Sequence, residues 1–196
     1  IPIHECSEPL VPIPLEKFAV VQPHPYEALG APYGDKSPYF LRAGVLAALL
    51  KAQDNLVAQH PGWRIQIFDA FRPIPVQQFM VDHTFQELVQ SRQLKVEQLT
   101  AEQHRAFMEE VFQFWALPSE NPATPPPHST GAALDVTLIN AEGQPVDMGS
   151  PIDEVSPRSF PEHFSASKDH QEQQFHAKSK LLNHGMGSKG FCCHPK

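Results

Sequence analysis

Between residues 39 and 59 the apolar positions Leu41, Val45, Ala48, Leu49, Ala52 and Leu56 recur at steps of three and four. That spacing predicts an amphipathic helix, closed by His60-Pro61-Gly62. The period then drops to two. From residue 63 to 71, Ile65 and Ile67 share one face and Arg64 and Gln66 the other, as in a half-buried strand. Pro73 and Pro75 open a second helix with Val76, Phe79, Met80 and Phe85 as apolar members. Thr100 and Gln103 have the spacing of a capping box, which predicts a third helix burying Phe107, Val111, Phe114 and Trp115. Leu134, Val136 and Leu138 read as a strand, followed by a turn at residues 140–143. A last helix is expected over residues 169–183, broken at Gly185, Gly187 and Gly190. Helices combined with a small antiparallel sheet predict an α+β fold.

Proline changes the picture of the remainder. There are 21 in 196 residues, about twice the ordinary share. Eight fall in residues 1–38, which read as an extended N-terminal wrap over the core. Residues 118–127 form a proline-dense loop, and residues 147–167 a long irregular one of the kind that carries function or disorder. The length suits a single domain over residues 1–196.

Charge narrows the partners. Fifteen Lys and Arg oppose 22 Asp and Glu, a formal charge of −7, which argues against a nucleic-acid binder. No apolar run is long enough to span a membrane. Three cysteines, two of them adjacent, make a poor disulfide framework and point to a reducing compartment. A cytoplasmic location is expected, or a periplasmic one where a leader has been removed.

The segment His128-Ser129-Thr130-Gly131-Ala132-Ala133-Leu134-Asp135 holds the most chemistry. With Leu134, Val136 and Leu138 on one face of a strand, Asp135 faces the other way and needs a partner. Imidazole nitrogen and carboxylate oxygen form either a hydrogen-bonded structural pair or two zinc ligands with a position open for water. Arg72, where a strand ends in Asp69-Ala70-Phe71-Arg72-Pro73, is either a surface ion pair or a fork of donors for an oxyanion. Asp147, before Met148-Gly149, reads as a turn cap.

Taken as a set, Asp69-x-x-Arg72-Pro73, His128-x6-Asp135 and Asp147-Met148-Gly149-Ser150-Pro151-Ile152-Asp153 resemble the zinc D-alanyl-D-alanine dipeptidases of the vancomycin-resistance type. Ser156-Pro157-Arg158-Ser159, Leu181-Leu182 and Gly190-Phe191 extend the likeness over about residues 20 to 196. The resemblance implies a hedgehog-like DD-peptidase fold, a Zn²⁺ cofactor held by His128 and Asp135, and Arg72 as the catalytic group that stabilises the oxyanion. Asp153 falls where the family binds the substrate ammonium. The implied activity is bacterial: hydrolysis of D-Ala-D-Ala or similar small dipeptides drawn from cell-wall chemistry. A D,D-carboxypeptidase or endopeptidase of peptidoglycan, or a non-catalytic zinc- or peptide-binding relative, are the alternatives.

The family's last motif, Glu-Trp-Trp-His, supplies its general base and third ligand. Here Gly190-Phe191-Cys192-Cys193-His194-Pro195-Lys196 reaches the point where that motif is expected to begin. Three expectations follow: further residues after Lys196 in a parent chain, a chain cut after Lys196, or a truncated, inactive relative.

Overall fold

The computed structural model describes residues 5–152, 154, 156–160 and 162–193. Among these residues, five strands and five α-helices follow one another. They are β1 (Leu10–Pro12), β2 (Ala19–Val20), α1 (Pro25–Ala28), β3 (Phe40–Arg42), α2 (Ala43–Gln59) and β4 (Arg64–Asp69). The chain continues through α3 (Ile74–Ser91), α4 (Ala101–Val111), β5 (Asp135–Ile139) and α5 (His170–Gly187). β1 and β3 form an antiparallel pair, while β2, β4 and β5 form a second sheet with β4 at its centre. β2 runs parallel to β4 and β5 antiparallel to it. The α+β expectation is met, with one parallel pair added.

Alternation along β4 divides the interior. Ile65 and Ile67 join Leu138, with Leu49 and Ala52 of α2 and Met186 of α5, in one cluster. Phe68 points into the other, built from α3 (Val76, Met80, Val81, Phe85, Val89), α4 (Phe107, Val111), Tyr26, Tyr33 and Trp115. Each fully buried Leu, Ile or Phe contributes about 1.5–3 kcal/mol of burial free energy. As the alternation requires, Leu134 and Val136 pack on the Ile65–Ile67 side, which sends Asp135 to the opposite face.

Three boundaries differ from the sequence expectation, each for a tertiary reason. The helix expected from residue 39 starts at Ala43, because residues 40–42 pair with β1. Its first turn is closed from a distance: Glu8 Oε2 accepts from Gly44 N at 2.6 Å, a favourable charge at a helix N-terminus. Phe114 and Trp115 lie beyond α4, whose Thr100–Gln103 capping box forms as predicted. α5 runs through Gly185 to Gly187 because buried Met186 anchors that turn. Such docking outweighs a helix penalty of about 1 kcal/mol per glycine.

The candidate active site

One irregularity in β4 creates the site. The register runs Ile67 opposite Val136 and then Asp69 opposite Asp135, so Phe68 is an extra, bulged residue. Strict alternation would put Asp69 with Ile65 and Ile67. The bulge turns it to the face that Asp135 occupies, a common use of bulges beside functional sites.

His128 arrives on a single 3-10 turn, Pro127–Thr130, entered from extended Pro126 and closed by Gly131 at φ +72°. The turn is stitched to the chain just past β4 and to the end of β3. Arg72 N donates to His128 O (3.3 Å), Ser129 Oγ donates to Arg72 O (2.7 Å), and Arg42 Nε donates to Thr130 O (2.9 Å). Ser129 is thus a structural donor. His128 Nδ1 sits 2.8 Å from Ala70 O, an arrangement that puts the proton on Nδ1 and leaves Nε2 bare. That bare nitrogen is 3.4 Å from Asp135 Oδ2.

Arg72 approaches the same oxygen, with Nη2 3.6 Å from Asp135 Oδ2. Its side chain is almost fully buried. Nε and Nη2 donate to Asp69 Oδ2 at 3.0 and 2.7 Å, and Nη1 donates to Gln77 Oε1 at 2.9 Å. The guanidinium lies between the rings of Tyr26 and Trp115, 5.0 and 4.9 Å from their centroids. Burial alone would weaken its hold on the proton, but Asp69, Tyr26 and Asp135 outweigh burial and keep it charged.

Asp69 is the hub that pattern reading passed over: the sequence marks it only as part of a motif, and its role depends on the bulge. Fully buried, it takes Arg72 on Oδ2 and the Tyr33 hydroxyl on Oδ1 at 3.4 Å. Burial pushes its pKa up, but His24, Arg72 and His128 more than offset this, so it stays ionised. Burial and the adjacent Asp69 in turn hold the Tyr33 phenol protonated far above the ordinary tyrosine range, which leaves it a donor. For His128, burial opposes the charged form, yet Asp135 raises its pKa overall.

Asp69, His128 and Asp135 are the one group of three metal-capable side chains among the described residues. They are not equivalent. Asp69 Oδ2 lies 3.4 Å from His128 Nδ1, whereas Asp135 stands at Nε2. One ion cannot meet both sides of a ring, and Asp69 is already committed to Arg72. The fitting pair is His128 Nε2 and Asp135 Oδ2. Two ligands with zinc bonds of about 2.0–2.1 Å at a tetrahedral angle lie roughly 3.3–3.4 Å apart, and these donors lie 3.4 Å apart. Asp135, with 39 % of its side chain exposed, leaves the outer side open.

The 147–160 loop packs nearby. Asp147 Oδ1 accepts from Gly149 N at 2.9 Å, the turn cap expected of it, and Arg158 Nη2 donates to Gly149 O. Ile152 packs against the cluster containing Tyr26 and Trp115. Asp153 lies outside the described residues. Gly149 has φ +93°, and a Cβ there would stand 2.4 Å from Phe164 Cε2 and 2.7 Å from Phe175 Cδ2. Gly149→Ala therefore combines left-handed strain with overpacking, about 2–4 kcal/mol together. A fall in Tm of roughly 5–15 °C is expected for a chain of this size; calorimetry showing an unchanged Tm would remove the tight approach.

A bulged mixed sheet with an imidazole, a carboxylate and a buried arginine gathered where β4 ends and β5 begins has the make-up of a metal-assisted hydrolase. The chain belongs to the D-ala-D-ala dipeptidase family, whose sequence profile matches residues 19–196. It is also 51% identical over 201 residues to a D-alanyl-D-alanine dipeptidase of Synechocystis sp., an alignment covering 100% of this chain and 81% of that relative. No helix among the described residues is long and apolar enough to cross a membrane.

Proposed function

We propose that this protein is a zinc-dependent dipeptidase that cleaves D-Ala-D-Ala or similar small dipeptides within a single catalytic domain. The observation that carries the reading is the convergence on Asp135 Oδ2 of His128 Nε2 at 3.4 Å and Arg72 Nη2 at 3.6 Å. Family membership and the named activity of the Synechocystis relative support the substrate class. Exposed Cys6, Cys192 and Cys193, none of them in a disulfide, suit a reducing, cytoplasmic setting.

In this reading His128 Nε2 and Asp135 hold the metal, and Ala70 O fixes the imidazole so that Nε2 presents its lone pair. When bound there, zinc supplies Lewis acidity and lowers the pKa of water. Arg72 meets the negative charge that develops on the carbonyl oxygen. Of its five N–H groups, three are taken by Asp69 and Gln77. The second N–H on Nη2 has only longer contacts, to Tyr26 Oη at 3.4 Å and Asp135 Oδ2 at 3.6 Å, and is available to an oxyanion. Because the guanidinium is buried and already oriented, its charge acts with little reorganisation. A third ligand and a proton acceptor, which catalytic zinc sites require, fall outside the cluster formed by the described residues.

Asp153 completes the proposal as the carboxylate that binds the substrate ammonium and so measures chain length. The zinc-loaded protein is expected to release D-Ala from D-Ala-D-Ala, to lose that activity on chelation, and to turn over the N-acetylated dipeptide poorly. No release by the loaded protein would overturn the dipeptidase reading. Equal turnover of the acetylated substrate would transfer the activity to a carboxypeptidase of longer stems.

A further inference from the structure

One buried histidine has no part in the mechanism above. His24, at the N-cap of the short helix α1, has a side chain with 0% exposure. Three tyrosine rings box it in edge-on, those of Tyr26, Tyr39 and Tyr33, with centroids 5.4, 5.5 and 5.6 Å away. The tyrosine hydroxyls bond to groups other than the imidazole. That of Tyr39 donates to Val21 O (2.9 Å), that of Tyr33 to Asp69 Oδ1 (3.4 Å), and that of Tyr26 accepts from Arg72 Nη2 (3.4 Å). For shape alone, a phenylalanine would fill this box. An imidazole brings two ring nitrogens that burial leaves without regular hydrogen bonds, and such groups are rare unless they serve a purpose.

The placement of those nitrogens identifies the purpose. Nδ1 faces no hydrogen-bond partner among the described residues, whereas Nε2 lies 3.2 Å from Asp69 Oδ1. The proton therefore belongs on Nε2, toward the carboxylate, even though the contact falls short of full hydrogen-bond alignment. Asp69 is itself a divided hub. Oδ2 clamps Arg72 twice, and Oδ1 is left to His24 and the longer Tyr33 contact. A carboxylate gripped on one oxygen alone is free to swing about its Cβ–Cγ bond. Held on both, it presents Oδ2 in one orientation.

We propose that His24 is a positioning residue of the active site: its Nε2–H steadies Asp69 Oδ1, so that Asp69 Oδ2 aims the Arg72 guanidinium at the reacting carbonyl. The inference rests on the role proposed above for Arg72. His24 touches neither substrate nor metal ligands and acts through Asp69. The three tyrosine rings pack edge-on around the imidazole and hold it in place.

The test compares His24→Phe, which keeps a ring in the box without a donor, with His24→Gln, which returns an N–H. On the full zinc-loaded chain, His24→Phe is expected to lower kcat for D-Ala-D-Ala about ten- to a hundredfold, the usual effect of removing a group that supports a functional one. KM and bound zinc should stay within about twofold, and His24→Gln should recover most of the loss. A second readout does not depend on turnover. The Arg72 Nε–H resonance, assigned by its disappearance in Arg72→Lys, should exchange slowly with solvent in the wild type and in His24→Gln. In His24→Phe it should exchange at least about tenfold faster, as expected when a buried hydrogen bond loosens. Unchanged exchange and unchanged kcat in His24→Phe would overturn the proposal. Equal losses in both variants, with KM and Tm falling together, would reduce His24 to a packing residue. If the wild type fails to cleave D-Ala-D-Ala, the dipeptidase reading falls, while the exchange comparison still decides the role of His24. Should His24→Phe not fold, His24→Met gives the same donor-free comparison.

Discussion

Replacing His128 with alanine is expected to abolish zinc uptake and with it hydrolysis. The ring offers one bare nitrogen, Nε2, because Nδ1 is 2.8 Å from Ala70 O. Among the described residues no neighbouring side chain can take its place. Asp69 is on the wrong side of the ring and is bound to Arg72, and Asp135 alone is one carboxylate. Groups that merely support a ligand are typically worth about 10–100-fold in metal affinity, so removing the ligand itself should cost more than about a hundredfold. Elemental analysis after dialysis reads this directly. Stability reads it independently. At a free zinc concentration about a thousand times Kd, binding adds roughly 4 kcal/mol, or about 8–16 °C in Tm for this size. Chelator should lower the Tm of the wild type by that order and leave His128→Ala unmoved. Metal-free, His128→Ala should melt below the wild type, since a side chain only 14% exposed gives up its contact with Ala70 O, so the chelator-induced shift within each protein is the quantity to compare. Stoichiometric zinc in the variant would refute the ligand assignment, and Asp135→Asn should repeat the pattern.

The second large effect belongs to Arg72, and it has two separable parts. Removing an oxyanion donor typically lowers kcat by about 10²–10³-fold. Removing this arginine also strands Asp69, a fully buried carboxylate. Breaking one side of a buried pair costs about 3–5 kcal/mol, so Arg72→Ala should be both inactive and markedly less stable. The double variant Asp69→Asn with Arg72→Met distinguishes the two. It removes the stranded charge and keeps apolar bulk between Tyr26 and Trp115, so stability should return while kcat stays low. Arg72→Lys keeps charge but loses the fork that grips Asp69 Oδ2 and Gln77, and it too should remain at least tenfold impaired. A loss of tenfold or less in Arg72→Ala would take Arg72 out of the mechanism. Recovery of kcat in the double variant would do the same.

These effects trace back to what could be read from the chain and what could not. Helical periodicity placed α2 and α3 correctly in the main, because the apolar stripe of α2 buries against β4 and that of α3 against α4 whatever the details at their ends. The Thr100–Gln103 capping box was legible because it is local: both partners lie within one turn. Alternation in Leu134, Val136 and Leu138 was enough to send Asp135 to the opposite face. The motifs around Arg72, His128 and Asp135 pointed to three residues that the fold gathers around one oxygen.

Other features depended on partners distant in sequence. Residues 40–42 continue a helical pattern, yet they form a strand because β1 pairs with them. The last helix continues through two glycines because Met186 is buried. Asp69 matters most here. Read by period, it belongs with Ile65 and Ile67; the bulge at Phe68 moves it to the side of Arg72, His128 and His24. A bulge has no dependable pattern in one strand, since it is a property of the pairing between two. The sequence by itself determined which side chains bear chemistry and which face Asp135 takes, through local periodicity and motif spacing. Only the tertiary structure decided that a carboxylate buried behind them would hold the arginine and back the imidazole, because that requires a register shift between strands some 66 positions apart (Asp69 opposite Asp135).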